Sequence, residues 1–238
     1  CNPVLNKKEI IERQEAVKEL AKEVDWRQEF LATGLIHRLD GKDKKRIKTW
    51  HQRKNKIGDG FLYEILLYLL PLLSFTLLGL SIIGWFKWTH FLLYLAVPLA
   101  FVGSYLKQIN RQYFFLTNLV AKIEVLAKMT EKLEQKEFHS ALLKRWKGEL
   151  YIDGKQASTK IHELRKMLNM FEQRQNILLG FTLNAFLLWD LNLMRKMYRW
   201  KVDNALEIEH WVTVVGNFDA VVSISNMAFN NSKLVYPE

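Results

Sequence analysis

Six histidines (His37, His51, His90, His139, His162 and His210) are the first places to look for acid–base or metal chemistry. None stands beside a cysteine or three to four residues from another histidine, the spacing that puts two ligands on one helical face. Glu207 and Glu209 form a carboxylate pair, but on a helical stretch suited to solvent. Gly41-Lys42 and Gly154-Lys155 carry the glycine–lysine step of a phosphate loop. They are followed by Asp43 and Gln156, where magnesium coordination requires Ser or Thr. Neither a Gly-x-Ser-x-Gly elbow nor a glycine-rich dinucleotide fingerprint occurs. The single cysteine, Cys1, excludes an internal disulfide framework and fits a reducing compartment. These patterns assign no catalytic residue, no metal ligand and no cofactor within the chain.

The chemistry that remains is electrostatic. Of the net charge of +10, a balance of +7 lies between Arg38 and Lys56, where nine basic residues face two acidic ones. Lys42, Lys44, Lys45, Arg46, Lys48, Arg53, Lys54 and Lys56 make an anion-binding surface. Such a run is a solvated face, a phosphate contact on duplex DNA, or a contact with anionic lipid headgroups. Its position favours lipid, because a long apolar block follows directly.

Between Ile65 and Phe86, 22 residues carry no charge; after Lys87, the 19 residues from Trp88 to Leu106 carry only His90. At 1.5 Å per helical residue each run can cross a hydrocarbon layer of about 30 Å. The spacing predicts a helical hairpin over 61–106. Lys107 and Arg111 follow it, so the positive-inside rule puts both polar arms in the cytoplasm and the turn near Lys87 outside. Trp85, Trp88, Tyr94 and Tyr105 suit an interfacial aromatic belt, whereas Tyr68 does not. Glu64 reads as a headgroup-level residue, and Pro71 and Pro98 as mid-helix prolines of the kind membrane helices tolerate. The competing reading is a hairpin buried in a soluble core.

The elements around this hairpin are helical in pattern. Asn6 to Leu31 reads as one amphipathic helix, capped by Asn6 with Glu9, striped by Ile10, Val17, Leu20, Val24 and Leu31, and ended near Gly34. From 107 to 150 the stripe Leu116, Leu119, Val120, Ile123, Leu126, Ala127, Met129 and Leu133 marks a long surface helix or coiled-coil arm. An Asp153-Gly154 turn follows, then a helix capped by Ser158 or Thr159 and running to about Val202. Its apolar stretch Ile177–Trp189 is short of a span and reads as a core segment. Two long helices joined by a short turn pack antiparallel. A final pair, Glu207–Val215 and Phe218–Phe229, closes the pattern.

With 49% hydrophobic and 25% charged residues, four prolines and eleven glycines, the composition excludes a loop-rich or β-sandwich fold. The expected class is all-α: long antiparallel helices forming a lever and core bundle, with an inserted apolar hairpin. The expected organisation is 1–60, a core helix and basic segment; 61–106, the hairpin; and 107–238, lever and core helices. The chain opens without Met and ends at Tyr236-Pro237-Glu238, which reads as a segment of something longer, and no secretory signal is recognised.

The two ends carry a more specific pattern. Ile10-Ile11-Glu12-Arg13-Gln14-Glu15-Ala16-Val17-Lys18-Glu19-Leu20 resembles the helix that opens the core (lever) domain of MutS family proteins. Phe218-Asp219-Ala220-Val221-Val222-Ser223-Ile224-Ser225-Asn226-Met227-Ala228, with Tyr236-Pro237 after it, resembles the family's segment that descends the lever toward its ATPase domain. Leu188-Trp189-Asp190-Leu191 and the hairpin resemble a membrane-associated branch of MutS-like proteins. The resemblance covers 6–34 and 160–238 and marks Arg13, Gln14, Val17, Leu20, Asp219, Ser223 and Ala228 as family-motif core positions.

The resemblance implies a core and lever segment of a DNA mismatch repair ATPase. ATP and Mg would bind a phosphate loop beyond Glu238, so this segment is not itself the enzyme, and the parent would dimerise through that ATPase. Partners implied are the duplex DNA backbone and membrane lipid, with cytoplasmic arms tethered to the inner membrane. The family's mismatch-reading Phe-x-Glu does not occur here, and the hairpin stands where other members have soluble core and clamp helices. The alternative is an integral membrane helical scaffold with no DNA role.

Overall fold

The computed structural model describes residues 7–35, 57–58, 60–152, 154–173 and 176–231. It is all-α apart from one two-residue hairpin. In chain order the elements are α1 (Lys7–Lys22), α2 (Val24–Leu35), α3 (Phe61–Ile83), α4 (Trp88–Tyr94), α5 (Ala96–Gln135) and α6 (Ala141–Gly148). Then come β1 (Tyr151–Ile152), β2 (Lys155–Gln156), α7 (Ala157–Glu172), α8 (Ile177–Leu187) and α9 (Trp189–Asn230). The strands pair antiparallel, Tyr151 with Gln156 and Ile152 with Lys155.

Two compact units share these elements. The first comprises 1–50, 121–163 and 206–238; the second comprises 51–120 and 164–205. Helices α5, α7 and α9 therefore contribute residues to both.

In the first unit, the expected single helix from Asn6 to Leu31 is instead two, parted at Glu23, and Gly34 lies inside α2 rather than beyond it. Asn6 lies outside the described residues. The elbow is closed by Arg27, whose Nη2 donates to the Ala21 carbonyl at 3.2 Å, one of the last carbonyls of α1. Val17, Leu20 and Phe30 are buried, together with Leu126, Leu133, Leu143, Trp211 and Phe218. Trp26 stacks on Phe30 and meets Phe138 edge-on, and Phe138 and Trp146 both pack on Phe218. Ion pairs Glu23–Lys136 at 2.5 Å, Glu29–Lys132 at 2.8 Å and Glu12–Arg145 at 3.0 Å rim this core.

Two helix starts in this unit are closed by carboxylates from elsewhere in the chain. Glu19 accepts the backbone N–H groups of His139 and Ser140 at 2.8 and 2.6 Å, just ahead of α6. Glu134 accepts from the N–H and the hydroxyl of Ser158 at the start of α7. Ser158 or Thr159 is the expected cap of this helix, and Ser158 departs from that role. It is instead the second helical residue and a donor, because the buried carboxylate supplies the acceptor that the first-turn N–H groups need. The expected pair Glu207–Val215 and Phe218–Phe229 is uninterrupted helix.

In the second unit α3 and α4–α5 form a hairpin. Tyr63, near the start of α3, meets Phe101 and Tyr105 of α5. At the other end Leu77 and Leu78 pack around Phe91 and Leu95. The turn closes on Gly84, whose φ of 87° places it in the left-handed region that terminates helices, with Gly84 N–H on Ser81 O and Trp85 N–H on Leu80 O. At the entry, Gly58 has φ 69° and lies so close to the Tyr63 ring that a Cβ there would stand 2.2 Å from it. Helix α3 runs unbroken through Pro71. The second apolar run is broken at Leu95, between α4 and α5. The division is slight: Leu95 keeps a helical φ of −58° and ψ of −19°, Leu95 N–H still reaches Phe91 O, and Leu99 N–H reaches Leu95 O. Pro98 lacks only the N–H that Tyr94 O would accept.

The long helix expected from 158 to about Val202 is three pieces, α7, α8 and the start of α9. Leu188 parts α8 from α9 in a left-handed conformation, φ 47° and ψ 43°.

Candidate membrane interface and its polar pins

Among the described residues, three helical stretches are long and apolar enough to cross a membrane: Phe61–Ile83, Trp88–Phe115 and Glu207–Asn230. A fourth, the bent pair Ile177–Leu187 with Trp189–Asn204, qualifies only if both pieces count as one span. The first two carry exposed apolar residues, among them Phe61, Leu62, Leu72, Ile82 and Leu93. The third differs. Trp211, Val214, Phe218 and Val222 are buried in the first unit, while its exposed positions are mixed, with Thr213, Asn217, Ser223 and Asn226 beside Ile224, Met227 and Phe229.

The stretch Ile177–Trp189, expected to be a core segment, is corrected by its exposure. Ile177 is 84% and Leu178 80% exposed, and Phe181 and Leu187 are exposed as well. Gly180, Asn184, Ala185 and Leu188 are buried, Phe186 is half-buried against Phe75 and Phe91, and α8 packs on α3.

Polar side chains pin these apolar helices at two levels. At the entry of α3, Arg195 of α9 holds Glu64 with Nη2 and Oε2 2.6 Å apart. Its Nη1 donates to the Tyr68 hydroxyl at 2.9 Å, and the guanidinium lies over the Tyr68 ring. Glu64 is thus an ion-pair partner, and Tyr68, which the aromatic-belt reading left out, is part of the same cluster.

Further along α3, Ser74 Oγ stands 3.0 Å from Leu70 O and 3.1 Å from Ala185 O, so its single proton serves one carbonyl at a time. The Tyr94 hydroxyl donates to Leu70 O at 2.9 Å. Both hydroxyls reach the carbonyl that precedes Pro71, whereas the carbonyl that the proline leaves without its helical donor is Leu67 O, one turn back.

The break at Leu188 is satisfied with the same economy. Asn184 O accepts from Leu188 N–H, Ala185 O faces Ser74, and Leu187 O accepts from Asn192 Nδ2 at 2.8 Å. Asn184 Oδ1 accepts the first-turn N–H of Asp190 at 3.0 Å, while its Nδ2 donates to Gly180 O at 2.9 Å. At the far end of α8, Asn176 Oδ1 accepts from Leu179 N–H.

The basic positions Lys42, Lys44, Lys45, Arg46, Lys48, Arg53, Lys54 and Lys56 lie outside the described residues. Of the family-motif positions, Val17 and Leu20 are buried, Arg13 and Ser223 are exposed, and Gln14, Asp219 and Ala228 are half-buried. The Ser223 hydroxyl donates to Asp219 O within its own helix at 2.8 Å. The two motif segments, 10–20 and 218–228, belong to one unit. There Arg27 Nη1 donates to Asn226 Oδ1 at 3.3 Å, and its guanidinium lies over the Phe229 ring. Among the described residues, no group of three or more His, Cys, Asp or Glu is placed to hold a metal ion.

Among the described residues, the chain is all-α and carries helices long and apolar enough to cross a membrane. No protein-family model, curated protein or solved structure matches the chain.

Proposed function

We propose that the chain is a membrane-tethered core and lever segment of a MutS-like ATPase. In this reading α3 and α4–α5 anchor it in the inner membrane as a hairpin with both polar arms in the cytoplasm. The helices of the first unit form the core, and α5, α7 and α9 are the lever. The job is mechanical: a contact with DNA backbone or anionic lipid at the 38–56 run is passed through packed helices to an ATPase beyond Glu238. ATP, Mg and homodimerisation would belong to that ATPase.

The observation that carries the reading is the pairing of the motif-bearing ends. The α1–α2 arm meets the C-terminal part of α9 through Arg27 and Asn226, 199 positions apart. A family core closed by its first and last helices requires this. The hairpin supports the anchor, and the buried stripe of Glu207–Asn230 supports its place in the core rather than in lipid.

Two measurements on the full-length protein test the reading. Carbonate washing of membranes should leave it in the pellet; release into the supernatant overturns the anchor. Duplex DNA binding should fall steeply with salt, show no sequence preference and be lost in a Lys44→Glu, Lys45→Glu, Arg46→Glu variant. A pelleted protein that binds no duplex DNA at low salt, yet binds anionic vesicles through the same residues, replaces this reading with that of a membrane scaffold.

A further inference from the structure

The hairpin accounts for α3, α4 and α5 but leaves α8 without a role. This helix of 11 residues is apolar but for Thr182 and Asn184, and is covered along Gly180, Asn184 and Ala185, with Leu183 and Phe186 half-buried beside them. It ends at a break where most of the backbone groups have partners, though the Trp189 indole N–H has none among the described residues. An exposed helix of that composition is a poor element in water. Its ends are also unlike a frayed surface helix. Three of its last four carbonyls and the first-turn N–H of Asp190 have partners inside the protein. Hydrocarbon demands such accounting, because no water is present to finish it.

Counting crossings fixes the path. If α3 and α4–α5 form the proposed hairpin, the chain returns near residue 115 to the side from which it entered. No described helix between Phe115 and Ile177 is apolar and long enough to cross. The polar stretch Glu172-Gln173-Arg174-Gln175-Asn176 before α8 is therefore on the entry side. Beyond the break, Arg195 stands against Glu64 in the first turn of α3, again on the entry side. Both ends of 177–195 lie on one face of the membrane, so the stretch does not cross it. At 1.5 Å per residue α8 is roughly 16 Å long, about half a hydrocarbon layer. The chain then bends by 77° into α9.

Resting on the anchor reading, we infer that α8 is a re-entrant helix. It enters the acyl layer from the side of the polar arms, ends inside it at Leu188, held by Ser74 and Asn184, and leaves through α9. The occupant of its open face is the acyl chains of that leaflet. Continuity with the apolar surface of α3, on which α8 packs, argues for lipid.

The experiment uses the full chain with Cys1→Ser, single cysteines at Trp85, Leu178, Phe181 or Lys196, and a membrane-impermeant maleimide on sealed vesicles of both orientations. Trp85→Cys should react only from the face opposite the arms, and Lys196→Cys only from the arm face. Leu178→Cys and Phe181→Cys should react from neither face and become reactive in detergent. Labelling of both α8 positions in intact vesicles like Lys196→Cys overturns the inference while leaving the hairpin standing. Reaction of Trp85→Cys from the arm face overturns the hairpin and the inference with it. Protection that persists in detergent, with Leu178→Cys forming a disulfide-linked dimer, assigns the face to a second copy and overturns the lipid occupant.

Discussion

Glu134, near the end of α5, closes the start of α7: the Ser158 N–H donates to Oε1 at 3.0 Å and the Ser158 hydroxyl donates to Oε2. Glu134 is buried, and its two donors and the positive end of α7 favour its charged form. Desolvation outweighs them, and burial pushes the Glu134 carboxyl above its ordinary value.

A group raised on folding contributes stability below its unfolded value, and this is lost as pH rises through the raised value. The stability of the native protein relative to a Glu134→Gln variant should therefore decline as pH rises through that window. Urea unfolding followed from the acid side to neutrality measures it. Glu29 is exposed, and Lys132 holds it below the ordinary carboxylate range, so its sign is opposite. Relative to Glu29→Gln, the native protein should lose stability as pH falls through that lowered value.

Arg27 is 1% exposed, and burial pushes its guanidinium below the usual value. It donates to a carbonyl and an amide oxygen, and its Nε has no acceptor among the described residues. Its contribution is shape as much as charge. Arg27→Ala should cost about 2–4 kcal/mol, as truncation of a large buried side chain does. Arg27→Met, which keeps the volume and removes the desolvation cost, should lie within about 1 kcal/mol of the native chain. Equal losses in the two variants would show that the hydrogen bonds to Ala21 and Asn226 dominate.

The all-α class and the membrane-length runs were legible because both depend on composition and on periodicity over many residues. What the sequence did not show were single polar contacts between distant positions. Glu134 and Ser158 are 24 positions apart, and a hydroxyl near a helix start looks the same whether it will accept or donate. The break at Leu188 carries no glycine or proline signal, since a leucine occupies the left-handed position. Pro71 and Pro98 were visible, but that a helix absorbs them depends on their neighbours: Pro71 sits in continuous helix, and Pro98 follows Leu95, which keeps helical angles. The exposure of α8 was hidden because a short apolar run reads alike whether protein or lipid covers it.

The Glu64–Arg195 pair should behave asymmetrically. The Glu64 side chain is 43% exposed and that of Arg195 only 18%. Removing the acid strands the more buried charge, whereas removing the base leaves a carboxylate that water can reach. Glu64→Gln should thus destabilise more than Arg195→Met, with a coupling in the double variant of about 1–3 kcal/mol, between exposed and buried pairs. Denaturation in mixed micelles measures the cycle. Losses of equal size with no coupling would mean that Arg195 acts through Tyr68 alone.

Asn184 carries more of the break than any other side chain, because one amide serves both sides of it. Replacing it with Leu preserves the approximate volume but removes the acceptor for Asp190 N–H and the donor to Gly180 O. The Gly180 carbonyl retains its helical partner, Asn184 N–H. The Asp190 N–H has no preceding turn to supply an acceptor, so its loss is the larger. A stranded donor in a covered site costs about 1–3 kcal/mol, and Asn184→Leu should destabilise by that amount in micelles. Ser74→Ala should cost less: Tyr94 still donates to Leu70 O, and only Ala185 O loses a donor. The same order should appear in maleimide labelling at Lys196→Cys, with Asn184→Leu changing its rate and Ser74→Ala leaving it close to native. Were Ser74→Ala the more damaging of the two, the break would be held from α3 rather than by its own asparagine.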